Sequence, residues 1–284
     1  MLSYKHAFHA GNHADVIKHI GWIAVIDYLC KKNKPFTLFD THAGAGQYSL
    51  DDDQASKNCE YESGIARLVD TAATDPLIEK YLALCGEFYQ QRHYPGSPVI
   101  AASLLRDNDQ LHVMELHPGE IPKLQASVKR LARGQVHIHH RDGLEGLNAL
   151  APPSPVRGAA LIDPPYELLS EYQSVTNTVS ATLKKWAQAQ IVIWYPLLSA
   201  RAGQKSGCSE RMVEKLAECG KTAFTAELHV ADKAMDTGMY GSGLLFINPS
   251  WQLDTQLENA LNTIAPTLGS DINVSVTWRK REST

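Results

Sequence analysis

Residues 158 to 166, Gly-Ala-Ala-Leu-Ile-Asp-Pro-Pro-Tyr, restrict the fold of this chain more than any other stretch. A run of small and aliphatic residues of strand length stops at an acid, and two prolines follow that cannot donate to a ladder. In an open α/β sheet the carboxyl ends of the strands form the rim where ligands bind. Asp163-Pro164-Pro165-Tyr166 is therefore a candidate site, although a Pro-Pro turn after a strand is also ordinary loop punctuation.

The chemistry that suits such a rim is attack by an amino nitrogen of a planar base. An exocyclic NH2 donates two hydrogen bonds, so a carboxylate at Asp163 and the carbonyl of Pro164 can hold it while the Tyr166 ring stacks on the base. Proline fixes φ and makes the turn rigid, which matters when rate comes from positioning and electrostatics. Asp163 to Tyr166 resembles motif IV of the S-adenosylmethionine-dependent amino-methyltransferases that modify adenine N6 in DNA or RNA. The opening Met-Leu-Ser-Tyr-Lys-His-Ala-Phe-His-Ala-Gly-Asn-His-Ala-Asp-Val-Ile-Lys-His is more specific. It resembles the RlmJ (YhiR) family of bacterial 23S ribosomal RNA adenine-N6 methyltransferases, and the resemblance runs from Met1 to about Trp251.

Composition is that of an ordinary globular enzyme, 44% hydrophobic and 20% charged over 284 residues. No apolar run approaches membrane-spanning length, and the first twenty residues carry lysines and histidines instead of a signal-peptide core, so a cytoplasmic protein is expected. Five scattered cysteines form no Cys-x-x-Cys pair and point to reduced thiols. His6, His9, His13 and His19 crowd the N-terminus; hydrogen bonding explains them better than metal, and no metal is expected. With a net charge of -4, contact with nucleic acid has to be local. Residues 1 to 34 supply a patch, Lys5, Lys18, Lys31, Lys32 and Lys34 against Asp15 and Asp27, a balance of +3, which solvated surface would explain equally well.

In chain order, residues 13 to 31 have helical spacing and lead into a buried strand, Phe36 to Asp40. Thr41-His42-Ala43-Gly44-Ala45-Gly46 follows, a turn whose backbone N–H groups suit a carboxylate ligand. A dinucleotide fingerprint would want glycine at 49, which is Ser49. Residues 51 to 97 read as a helical insertion after the first strand, either a lid or RNA contact or plain decoration. Ser97 is placed to cap the next helix. Leu111 to Leu116 is a strand with an acid, Glu115, near its end, where a carboxylate can accept both hydroxyls of a ribose. Val136 to His140 is the next, and Asp142-Gly143 beyond it is either an acceptor for an adenine amine or a common turn. A helix over Leu168 to Trp186, a strand Ile191 to Pro196 ended by proline, a helix Arg211 to Cys219 and strands Phe224 to Val230 and Leu244 to Asn248 complete the pattern. Gly238 to Gly243 reads as the hairpin loop between the last two. Past Trp251 a helix over Leu257 to Leu268 and a short added strand, Val274 to Trp278, are the only signals.

The pattern gives an α/β, doubly wound Rossmann-like fold of the class I methyltransferase kind. It has a mostly parallel seven-stranded sheet closed by an antiparallel hairpin, in a single domain over 1–284 with the insertion at 51–97. The family resemblance implies S-adenosylmethionine as cofactor, held by His19, His42, Ser97, Glu115, Asp142, Gly143 and Asp163, with Asp163 also catalytic. It implies substrate contacts at Tyr4, His6 and Lys18. His19 also fits a core-facing helical residue. The implied partner is 23S ribosomal RNA, free or partly assembled, met by a monomer with no role for a membrane. The alternative is a DNA adenine-N6 methylase, or a nucleic-acid-binding protein in the use of external DNA.

Overall fold

The computed structural model describes residues 6–52, 58–72, 74–233 and 238–282. Its main sheet is built from β1 (Thr37–Asp40), β4 (Gln110–Glu115), β5 (Gln135–His140), β6 (Gly158–Ile162), β7 (Gln190–Leu198), β8 (Ala223–His229), β9 (Met239–Ile247) and β10 (Asn273–Lys280). The order is β10-β8-β9-β7-β6-β1-β4-β5. Strands β5, β4, β1, β6 and β7 pair in parallel, and β7/β9, β8/β9 and β8/β10 pair antiparallel. From β1 the chain moves outward through β4 and β5, then returns to place β6 on the other flank of β1. That reversal is the switch point at which a doubly wound sheet opens a crevice. Two small strands, β2 (Gln47–Ser49) and β3 (His93–Pro95), form a separate ribbon that the sequence pattern did not signal.

One face of the sheet is covered by α1 (His13–Cys30), α3 (Pro76–Gln90), α4 (Ser97–Leu104), α5 (Ile121–Lys129) and α9 (Leu253–Leu268), with the short α2 (Ile65–Leu68) beside them. The other face carries α6 (Gly143–Leu150), α7 (Leu169–Lys185) and α8 (Cys208–Ala217). Helix α1 starts at Asn12, whose Oδ1 accepts from the amides of Ala14 and Asp15 at 2.9 and 3.0 Å. Fourteen of its 18 residues are buried, so it is a core helix and not an amphipathic surface one. It can lie close to β9 because residue 21 has no side chain: a Cβ there would stand 2.5 Å from Leu244 Cδ1.

Five local readings change in the fold. The sheet has eight strands in place of seven, because residues 273–280 pair along the whole of β8. Residues 239–243 are strand and not hairpin loop: a Cβ at Gly243 would stand 2.3 Å from the Tyr195 ring, so this glycine serves close cross-strand approach and not a turn. Strand β7 continues through Pro196 to Leu198, since pairing with β6 has ended at Ile193 and the missing N–H has no ladder partner to disappoint. The lysine patch is dispersed: Lys18 is buried, Lys31, Lys32 and Lys34 lie at the far end of α1, and Lys5 falls outside the described residues. The cap of α4 falls on Gly96 and not on Ser97.

Replacing Gly21 by Val should overpack the α1/β9 contact and cost about 1–3 kcal/mol. Equilibrium unfolding in urea would show it as a lower midpoint at unchanged slope.

Candidate functional site

Because β1 and β6 are neighbours at the switch point, the acids at their ends, Asp40 and Asp163, stand close together, Asp163 facing the crevice and Asp40 fully buried beside it. α1 delivers the partner. Lys18 Nζ sits 2.6 Å from Asp163 Oδ2 and 2.7 Å from Asp15 Oδ1, and His6 Nε2 donates to Asp15 Oδ2 at 2.9 Å. Burial alone would lower Lys18, but the Asp15 and Asp163 carboxylates more than offset it and hold the ammonium well above its ordinary range. Burial likewise opposes ionisation of Asp15, yet His6 and Lys18 hold its carboxyl well below the usual range. Asp15 carried no signal as a site residue in the sequence. One turn of helix separating it from Lys18 (i, i+3) would have suggested the pair.

Two cavities meet here. The larger, of about 670 Å3, runs along the ends of β1 and β4. His42, Ser97, Glu115, Asp142, Gly143 and Asp163 all line it, as do His6 and Lys18. The smaller, of about 200 Å3, has Trp194, Pro196, Leu198 and Met239 as its apolar wall. His6, Lys18, Asp163 and Pro165 belong to both.

Glu115 braces the glycine turn: its Oε2 accepts from Gly44 N at 2.8 Å and its Oε1 from His117 N at 2.6 Å, leaving further lone pairs free on each oxygen. Asp142 caps α6 through Oδ1, which accepts from Glu145 N at 2.9 Å. Gly143 follows in contact with the first loop; a Cβ there would stand 1.7 Å from the Thr41 carbonyl. His42 Nδ1 is 2.8 Å from the Thr41 hydroxyl, and burial pulls its pKa down.

The remaining candidates stand elsewhere. His19 is not on either cavity wall. It is fully buried, its Nδ1 hydrogen-bonds the Tyr94 hydroxyl at 2.9 Å, and burial pulls its pKa down to about 3, so it is a neutral core residue at physiological pH. Pro164 is buried, and Pro165 is the proline exposed to both cavities. Tyr166 takes a left-handed φ of 50°, which a non-glycine residue holds only under constraint. Its ring packs between Tyr172 and Trp194 at 4.5 and 6.0 Å and reaches the smaller cavity from below. Tyr4 lies outside the described residues. His9 is turned to Glu60, donating at 2.9 Å, and among the described residues no group of three His, Cys, Asp or Glu is arranged to hold a metal.

The family model described as "Ribosomal RNA large subunit methyltransferase D, RlmJ" matches residues 33–280, past the point where the sequence signal fades. The protein named Ribosomal RNA large subunit methyltransferase J from Escherichia coli (strain K12) is 40% identical over 265 residues, 92% of each chain. Its namesake from Haemophilus influenzae is 36% identical over 273 residues, 94% of each. The crystal structure of a protein from Legionella pneumophila str. Philadelphia 1 superposes with a TM-score of 0.84 at 30% identity, over 94% of this chain and 97% of that one. No helix of the described residues is long and apolar enough to cross a membrane.

Among the site's carboxylates, Asp40 is the one least compensated. It is fully buried; its Oδ1 accepts a long 3.4 Å bond from His42 N and its Oδ2 has no partner. Burial pushes its carboxyl up to about 6 against the hydrogen bond from Ser97, and nearby Asp163 adds to the rise. The folded state therefore holds this proton more tightly than the unfolded chain does, and stability falls as pH rises from about 4 to about 6. Compared with Asp40→Asn, the wild type should lose on the order of 3 kcal/mol between pH 4 and pH 7. Urea unfolding of both proteins across that range checks it; a difference independent of pH would contradict it.

Proposed function

The chain belongs to the RlmJ family of ribosomal RNA large subunit methyltransferases, and from that membership we propose that it methylates the N6 amine of an adenine in 23S ribosomal RNA, using S-adenosylmethionine. The observation that carries the finer reading is the meeting of two cavities at Asp163. A two-substrate transfer needs a donor compartment and an acceptor compartment joined at one point, so that the reacting atoms are held in line. Residues 1–284 then act as one methyltransferase domain, and 51–97 as an insertion in it.

The larger cavity has the size and the groups for such a cofactor. Its volume lies in the range of small-molecule sites, and its wall presents carboxylates at Glu115 and Asp142 for a ribose diol and an adenine amine. Ser97 and His42 complete that wall, while His19 supports it from behind through Tyr94. S-adenosylmethionine supplies an electrophilic methyl group on a sulfonium centre.

The chain's own residues do the rest. Asp163 accepts an N–H of the adenine amine, with the Pro164 carbonyl as second acceptor, which fixes the nitrogen and raises its electron density. Lys18 already occupies Asp163 Oδ2, so the amine is received on Oδ1 or shares the occupied oxygen. Asp15 positions Lys18 and His6 together at the mouth of the smaller cavity. Trp194, Pro196 and Leu198 close the apolar walls around the base, and Tyr166 makes its floor. The proton of the amine becomes acidic as the new C–N bond forms, so no full deprotonation has to come first. The adenine has to leave its stack, which costs least in a loop or in partly stripped RNA.

The test is transfer of labelled methyl from S-adenosylmethionine to deproteinised 23S RNA, assembled large subunits and duplex DNA, followed by nucleoside analysis. N6-methyladenosine should appear in RNA alone, and Asp163→Ala should lower the rate at least about 10²-fold with the circular dichroism unchanged. Label in DNA would favour the DNA methylase, and full activity in the variant would end the proposed role of Asp163.

A further inference from the structure

β1 and the five strands that run with it start at the pole opposite Asp163, and the connections at that pole differ in charge from the rest of the protein. They comprise residues 31–36, 105–109, 129–134, 151–157, 184–189, 218–222, 248–252 and 280–282. Together they hold thirteen lysines and arginines against four acids, a balance of +9; with 27 and 31 in the whole chain, everything else stands at -13. The cavity mouths share in that negative remainder through Glu115, Glu120, Asp142, Glu167 and Glu171. Affinity for nucleic acid comes mainly from phosphate contacts, which an acidic rim cannot supply.

The basal charge is structured. Arg106 donates to the carbonyls of Lys32 and Lys34 at 2.9 Å, and Arg157 donates to the carbonyl of Lys34 at 3.1 Å. The two guanidinium groups stand 5.1 and 5.9 Å from the ring of Phe36. Backbone bonds thus bring two arginines to the segment that carries Lys32 and Lys34, with Asp109 as a carboxylate partner for Arg106. Trp251 adds an independent sign. It is 80% exposed, the most of any large apolar side chain described, with Leu168 next at 63%. It stands on a turn held between two left-handed residues, Asn248 and Gln252, with φ of 52° and 60°. Asn248 ties that turn to two basic connections: its Nδ2 donates to the carbonyls of Ala187 and Ala189 at 3.0 Å, and its Oδ1 accepts from Lys221 N at 2.9 Å. A turn that presents an indole to water and is tied through Asn248 to the backbone of two lysine-bearing connections matches a platform for stacking an unpaired base.

We propose that the basal pole is a second RNA-binding surface, which takes phosphates of a segment of the substrate RNA away from the target adenine and stacks an unpaired base on Trp251. This rests on the reading of the chain as an enzyme of ribosomal RNA. Arg157 and Asp163 flank the two ends of β6, six residues or about 20 Å apart. A short oligonucleotide seated at Asp163 does not span both poles, whereas a folded RNA of ribosomal size does. The charge is spread over seven of these eight segments around the pole, as a polymer of phosphates requires.

The experiment measures binding of 23S RNA, without cofactor, as a function of salt, for the wild type, a Lys32→Glu/Lys34→Glu variant and Trp251→Ala. All three positions are exposed, and unchanged melting temperatures confirm the folds. The charge-reversal variant should bind about tenfold more weakly near physiological salt, and its slope of log K against log salt should be shallower by about two. Trp251→Ala should weaken binding about fivefold or more. Both should keep wild-type kcat/KM on the shortest RNA fragment that the wild type methylates. Equal affinity and slope for 23S RNA in all three proteins would overturn the proposal. Binding that depends on the basal charge, in an enzyme that methylates no RNA, would retire the proposed activity and leave the surface standing.

Discussion

The site depends on one buried cation. Lys18 lies between Asp15 on its own helix and Asp163 on a strand 145 residues away, and it is almost fully shielded from water. Neither carboxylate nor ammonium could be buried alone, because removing one partner leaves the other's desolvation uncompensated, a penalty of about 3–5 kcal/mol. The triad therefore locks the start of α1 against the end of β6. His6 is drawn in through Asp15, so a single electrostatic arrangement sets the wall that both cavities share.

Around that triad the topology supplies the space. The reversal of strand order between β1 and β6 leaves a crevice, and the side chains at the strand ends decide what it can hold. On the β4 side the wall is polar and braced by Glu115. On the β7 side it is apolar, because β7 outruns β6 and brings Trp194, Pro196 and Leu198 up beside Asp163. A polar compartment and an apolar one thus follow from strands of unequal length. The cost is visible in Asp40, buried with one oxygen unpartnered, and in the left-handed backbone of Tyr166.

Charge is divided along the same axis. The rim around the cavities is acidic and the opposite pole is basic, so a protein of modest net charge carries two surfaces of opposite sign. For an enzyme of RNA this separates functions: selectivity resides where hydrogen bonds and apolar walls read a base, and non-specific attraction resides where phosphates are neutralised.

Local sequence by itself determined the elements and the motif. The apolar run before Asp163, the glycine turn after Asp40 and the acid near the end of the second parallel strand each announce themselves by periodicity and turn chemistry, which act over a few residues. Six of the seven cofactor-wall candidates line one cavity because strand ends in such a sheet share a rim. Only the tertiary structure decided which groups are partners. The pairing of Asp15 and Asp163 through Lys18, the retreat of His19 behind Tyr94, the strand placement of Gly243 and the scattering of the N-terminal lysines all depend on which elements pack side by side. Burial and ion pairing are properties of spatial neighbours, and chain topology selects neighbours that lie tens to hundreds of residues apart, beyond the reach of any local pattern.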